Sequence, residues 1–329
     1  MGSSPTPGTL LDADSITLDA MADIATLPFR DDIVALFPGQ GSISSGAGRA
    51  WQSSRHWGLV DHVGEIAGVN VERLLLAADT EEVVRTDNAQ LATFALSLVG
   101  YHELLDLGVR PRYLLGHSLG EFTALVASGL LDLGEGTKLI AVRGAAMARA
   151  ADASEGSMVA VMGGDEGARD NLGGVAEIWI ANINGTGQIV VSGTRAGLDD
   201  LLSRHRDLGW RRATSLEVGG AFHSPLMAPA QAELDAQLDA AVWGETDAIV
   251  ISNVDAQAHR APAEWRELMR RQLTSPVEFL DATLALPDTV RTTVELPPSG
   301  VLTGLTKRIR DFDVQFAPAS LDELQESQL

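Results

Sequence analysis

The chain has 329 residues, 45% of them apolar, and 33 glycines, enough to bury a sizeable core with the composition of a globular α/β protein. It has no cysteine, which excludes disulfides, thiolate catalysis and cysteine-based zinc sites and points to a reducing, cytoplasmic setting. The formal net charge is −21 and lysine occurs only at Lys138 and Lys307, so nucleic acid and anionic membrane are poor partners; the apolar runs fall short of the roughly 18 residues of a membrane span, and the N-terminus lacks a secretory pattern.

Residues 1–30, rich in Ser, Thr, Pro, Asp and Ala, read as a partly mobile extension, with a short helix over 16–27. Asp32 to Phe37 reads as a first buried strand. Pro38-Gly39-Gln40-Gly41-Ser42 follows as a glycine-rich turn. It is no P-loop, because Ala47 and not Lys follows Gly46, and no dinucleotide fingerprint, because Ser44 replaces the third glycine. What remains is an amide, Gln40, at the C-terminal end of a strand, where open α/β sheets bind ligands.

Trp51 to Leu76 alternates at helical spacing. His56 and His62 lie within it, six apart and without an evident carboxylate, and read as surface residues, so no metal is expected. Asn88 to Leu107 is strongly apolar, rich in Ala and Leu, and predicts a buried helix. Tyr113-Leu114-Leu115 reads as a buried strand, Gly116-His117-Ser118-Leu119-Gly120 as a sharp turn, and Glu121 to Ala127 as the start of a helix. This is the strand–turn–helix context of a nucleophile elbow, with Ser118 at a helix N-terminus. The motif alone reads equally as a glycine-rich β–α turn with an ordinary serine.

Gly134 to Ala151 predicts a helix in which Arg143 sits among Leu139, Ile140, Ala145, Ala146 and Met147. A guanidinium in that setting needs an anionic partner, none is close in sequence, and a ligand carboxylate becomes a candidate. Strands over 157–162, 177–182, 188–192 and 211–218, with helices over 165–172 and 194–206, give the order β-α-β-β-α-β of a small ferredoxin-like unit inserted into a larger domain. Gly219 to Met227 then carries His223, a general-base candidate at a mouth between two domains. A helix over 229–242, a strand over 249–253 and a helix over 262–273 follow. Val290 to Leu296 reads as the final strand, and Val301 to Arg310 as a helix.

Taken together, Phe37-Pro38-Gly39-Gln40-Gly41-Ser42, Gly116-His117-Ser118-Leu119-Gly120-Glu121, Arg143-Gly144-x-x-Met147, Ala181-Asn182-Ile183-Asn184, Ala221-Phe222-His223-Ser224 and Val301-Leu302-Thr303-Gly304-Leu305 resemble the malonyl-type acyltransferase family of fatty-acid and polyketide synthesis. The resemblance covers roughly residues 32–318. It implies an α/β fold with an α/β-hydrolase-like large subdomain (31–153 and 221–329) built on a central parallel sheet, and an inserted ferredoxin-like small subdomain (154–220). It implies ping-pong transfer of a malonyl-type group from coenzyme A to the phosphopantetheine thiol of an acyl carrier protein.

In that reading Ser118 is the nucleophile and His223 its base. The N–H groups of Gln40 and Leu119 form an oxyanion hole, and Arg143 grips the free carboxylate. His223 is oriented by backbone carbonyl oxygen, matched here to Gln272, and no acidic third member is expected. Leu119 and Phe222 look like the malonyl-selecting members. One α-methyl group is worth only about 1–3 kcal/mol, so this implies preference and not exclusion.

Pro297-Pro298-Ser299-Gly300, Ala148 and the N-terminal extension depart from the pattern and suggest a free-standing polyketide-pathway enzyme. A proofreading thioester hydrolase and a carrier-to-carrier transferase of the same fold are the alternatives. The resemblance implies coenzyme A thioester as substrate with no bound cofactor, and a monomer. Because carrier proteins and this chain are both acidic, docking is expected on the basic sets Arg266, Arg270, Arg271 and Lys307, Arg308, Arg310.

Overall fold

A computed structural model describes residues 27–164 and 166–329. The helix expected over 16–27 lies, but for Leu27, outside the described residues. The first strand begins at Phe29, within the stretch read as the extension.

The ten strands are β1 (Phe29–Phe37), β2 (Arg110–Gly116), β3 (Gly156–Met162), β4 (Ile178–Gly185), β5 (Gln188–Thr194), β6 (Arg212–Ser215), β7 (Ile249–Ile251), β8 (Ala258–His259), β9 (Thr292–Glu295) and β10 (Val314–Phe316). The helices of ten residues or more are α1 (Gly58–Ala67), α2 (Thr86–Asp106), α3 (Leu119–Ser128), α4 (Leu133–Asp152), α5 (Arg195–Arg204), α6 (Ala228–Ala240) and α7 (Pro262–Gln272).

The large sheet has the order β10-β9-β1-β2-β7-β8. Its centre reads as continuous apolar runs because helices cover both faces; Ile33 to Phe37 are all fully buried. Two expectations are corrected here. The sheet is mixed and not parallel throughout, since β8 runs antiparallel to β7. The strand at 290–296 is not the last, because β10 pairs with it in parallel. Both added strands are edges of two or three residues, too short to leave a periodic signal.

The stretch 51–76 is also not one helix. Gly68, at φ 68°, ends α1, and Asn70 caps a second helix, Val71–Leu76, by accepting the Arg73 N–H. Helix α2 is buried on nearly every side and packs against α4. Among the described residues no helix is long and apolar enough to cross a membrane.

The small sheet has the order β4-β5-β3-β6, antiparallel throughout, with a core of its own that includes Val159, Val161, Val191, Leu201 and Trp210. Its edge strand β4 is tied to the large sheet's side. The Ile183 N–H donates to Val277 O at 2.9 Å and the Val277 N–H to Ala181 O at 2.8 Å. Where that pairing ends, a groove of about 370 Å³ opens between Ile178, Trp179 and Ile180 on one wall and Thr274 and Pro276 on the other, with His223 among its lining residues.

Candidate active site

The turn after β2 is as tight as a backbone allows. A Cβ on Gly116 would lie 2.0 Å from the Gly120 carbonyl carbon, and one on Gly120 would lie 1.9 Å from Phe37 O. Ser118 holds φ 54° and ψ −105°, a strained conformation for a residue with a side chain. Asn253, just past β7, holds it in place. Its Oδ1 accepts the Ser118 N–H at 2.7 Å and its Nδ2–H donates to Gly116 O at 2.7 Å.

Ser118 Oγ lies 2.7 Å from His223 Nε2. On the ring's other side, Nδ1 faces two carbonyl oxygens, Gln272 O at 3.0 Å and Ser275 O at 3.2 Å. Carbonyl oxygens only accept, so Nδ1 carries the proton and Nε2 is the free lone pair that accepts from the serine hydroxyl. Burial, helped by the field of Arg143, pulls the imidazole down to about 3. It is therefore neutral, the form a base requires.

Arg143 on α4 is 1% exposed. Its Nη1–H donates to Gln90 Oε1 at 2.8 Å, and its Nη2–H donates to Ser118 Oγ at 3.0 Å and to Gln272 Oε1 at 3.1 Å. Its Nε–H is buried without a partner. Burial lowers the guanidinium to about 9, so it stays charged at neutral pH. Gln272 also donates through Nε2 to Ser118 O at 2.7 Å and to Glu121 Oε2 at 3.0 Å. Burial raises Glu121 to about 7.

Gln40 opens a 3-10 turn and Leu119 opens α3, so each backbone N–H lies in a first turn without a partner in its own helix. The Gln40 side chain accepts from Gln90 Nε2 at 3.0 Å, which joins the turn after β1 to the residue that holds Arg143. His117 is turned toward β4, with Nε2 2.9 Å from Asn184 Oδ1. Phe222 and Leu119 are buried in the main apolar cluster and do not line the groove.

The structure thus joins Ser118, His223, Arg143 and Gln272 in one buried network. It adds Gln90, Glu121, Asn253 and Ser275, which sequence reasoning missed. Gln90 had a signal, as an amide inside an otherwise apolar helix. Asn253 had one too, as a polar residue at the C-terminal end of a buried strand.

The basic sets fare differently. Arg271, Lys307 and Arg308 are exposed, Arg266 is half-buried, and Arg308 Nη1 donates to Gln188 Oε1 at 2.9 Å. Arg270 is paired with Asp239. The Arg310 guanidinium is spent on the carbonyl oxygens of Leu286, Pro287 and Val290, which corrects its expected place on an open docking face.

His56 is corrected as well. It has a carboxylate partner, Asp106, at 2.6 Å, fifty residues away and so invisible to local reading. Glu103 lies close enough to make a three-ligand cluster with them. However, Asp106 is already held by Arg55, and Glu103 by Ser54 at 2.6 Å and Gln325 at 3.3 Å. Each of the three side chains thus has a protein partner, in a network that is partly exposed.

The acyl transferase domain family matches residues 34–316. The malonyl CoA-acyl carrier protein transacylase of Bacillus subtilis is 37% identical over 285 residues, covering 84% of this chain and 90% of that protein. The crystal structure of the malonyl-CoA:acyl carrier protein transacylase of Xanthomonas oryzae superposes with a TM-score of 0.83 at 33% identity, over 87% of this chain and 94% of that one. A type II polyketide synthase malonyl-transacylase, solved in complex with its acyl-carrier protein, superposes with a TM-score of 0.85 at 28% identity, over 89% of this chain and 98% of that one.

Proposed function

The chain belongs to the malonyl-CoA:acyl carrier protein transacylase family, and on that premise we propose that it moves a malonyl group from coenzyme A to the phosphopantetheine thiol of an acyl carrier protein. One observation supports the carboxylated substrate above all. A buried, charged guanidinium stands 3.0 Å from the nucleophile, with one N–H still unpartnered. An acyl group on Ser118 that ends in a carboxylate would satisfy that donor, and an uncharged chain would leave it buried and empty.

Ser118 Oγ attacks the thioester carbonyl carbon as its proton passes to His223 Nε2. Charge gathers on the carbonyl oxygen, which the N–H groups of Gln40 and Leu119 would receive; each donor of this kind is commonly worth about 2.7–4 kcal/mol. The carbon–sulfur bond breaks, and the coenzyme A sulfur leaves with the proton from His223. The carrier-protein thiol then enters, gives its proton to His223, and takes the malonyl group from Ser118 by the same steps reversed.

The imidazolium exists only in passing. Gln272 O and Ser275 O steady it, so no carboxylate is needed behind the ring. Coenzyme A is a substrate in this cycle and no resident cofactor takes part. Arg271, Lys307 and Arg308 are the exposed cations we assign to the carrier protein, and the cytoplasm is the setting we assign to the reaction. Mass analysis of a phosphopantetheinylated carrier protein after incubation with malonyl-coenzyme A tests the proposal. Malonylation dependent on the enzyme is expected; release of free malonate with an unmodified carrier would replace transfer by hydrolysis.

A further inference from the structure

Glu121 lies three residues past the nucleophile, in the first turn of α3, and is fully buried. Its Oε1 accepts the Asn253 N–H at 2.7 Å and its Oε2 accepts the Gln272 Nε2–H at 3.0 Å. The other end of the same amide, Gln272 Oε1, accepts from Arg143 Nη2 at 3.1 Å. A single side-chain amide therefore joins a buried carboxylate to the buried guanidinium. Among the described residues, Glu121 is the carboxylate whose field acts on Arg143. The other charged group acting on Glu121 is Asp255, beyond β7, which repels it; α7 contributes the neutral Gln272. His223, on the loop before α6, is neutral as well.

With Glu121 ionised the empty site is balanced, one buried cation against one buried anion. A malonyl group brings a second anion to the same cation. Two carboxylates that share one buried cation do not both stay ionised cheaply. The substrate carboxylate would bond Arg143 directly, whereas Glu121 is one amide removed, so the proton belongs on Glu121.

We propose, resting on the malonyl-transfer reading, that Glu121 is a specificity-determining residue that balances Arg143 in the empty site and takes up one proton from solvent when a substrate carboxylate engages Arg143. An acetyl group brings no anion and triggers no uptake. The enzyme's preference for carboxylated acyl groups is therefore coupled to pH through a residue that does not touch substrate. Burial has already placed Glu121 at about 7, so the coupling falls in the neutral range.

The test counts protons. Wild-type protein is acylated to completion in weak buffer with a pH indicator, with malonyl-coenzyme A and in parallel with acetyl-coenzyme A, and the acyl-enzyme is quantified by intact mass. The thiol released is the same in both, so the difference belongs to the carboxylate site. From a free value of about 7, the expected difference is about 0.9 proton per malonyl group at pH 8 and about 0.1 at pH 6. The malonyl-over-acetyl ratio of kcat/KM should then fall by up to about tenfold per pH unit above 7 in wild type. In Glu121→Gln, which keeps the shape and removes the titration, the ratio should be flat.

A malonyl adduct formed without extra proton uptake at pH 8 would overturn the role of Glu121 and leave the transfer reading intact. So would wild-type pH dependence in Glu121→Gln. Because the proton count uses wild-type protein alone, it decides even where the variant folds poorly. If no malonyl adduct forms at all, both readings fall together.

Discussion

Replacing Arg143 by alanine should separate malonyl from acetyl transfer. The guanidinium is 1% exposed and 3.0 Å from Ser118 Oγ, so a substrate carboxylate there would gain two charge-assisted hydrogen bonds in a dry site, one from the open Nε–H and one from the Nη2–H that otherwise reaches Ser118 Oγ. At about 1.5–3 kcal/mol each, their loss amounts to about 3–6 kcal/mol, or roughly 10²–10⁴ in kcat/KM for malonyl-coenzyme A. The substitution also leaves Gln90 Oε1 and Gln272 Oε1 without their donor, at about 1–3 kcal/mol of stability apiece. That second cost falls on every substrate alike, so the two donors must be compared on one preparation.

Acetyl transfer should change little beyond the loss of folded protein. Arg143→Lys keeps the charge but not the fork and should recover only part of the malonyl rate. Steady-state kcat/KM for malonyl- and acetyl-coenzyme A, with melting curves beside them, provides the comparison. Equal losses for both donors would refute the reasoning and make Arg143 a structural residue.

Four further outcomes follow. With acetyl-coenzyme A as donor, the kcat/KM profile should lack the acid limb near 6.5 of an ordinary histidine, because burial keeps His223 neutral down to about 3. The same shift fixes a stability trend. Between about 3 and 6.5 the unfolded chain holds more protons at this position, so the contribution is whole above 6.5 and declines as pH falls toward 3; His223→Gln should flatten that slope in acid-unfolding curves. Asn253→Ala frees both ends of the elbow and should cost about 2–6 kcal/mol by denaturant titration together with a drop in kcat, whereas unchanged kcat would show that Ser118 holds its conformation unaided. Arg271→Glu with Lys307→Glu should raise the KM for carrier protein and weaken its dependence on salt; unchanged values would move docking off these exposed cations.

What could be read in the chain before folding was what is local. The elbow announces itself because its strand, its two glycines and its helix start are contiguous, and each glycine answers a contact that forbids a Cβ. Arg143 stood out because its helix is apolar around it. The residues that complete the site could not be read this way. Asn253 reaches Ser118 across 135 positions, Gln272 reaches Glu121 across 151, and Gln90 reaches Arg143 across 53. Such partners are set by the order of strands in the sheet, which periodicity does not encode. The same holds for His56, which looked solitary because its carboxylate arrives from the far end of α2. Gln272 was placed by resemblance for its backbone oxygen, yet its side chain makes the contacts that bind Ser118, Arg143 and Glu121 together.

The most direct test of the central claim is intact-protein mass after brief incubation with malonyl-, methylmalonyl- and acetyl-coenzyme A, with wild type beside Ser118→Ala. The account predicts a malonyl adduct on wild type, less of the methylmalonyl one, and none on the variant. An adduct that persists on Ser118→Ala, or free coenzyme A that accumulates with no adduct on wild type, would contradict it.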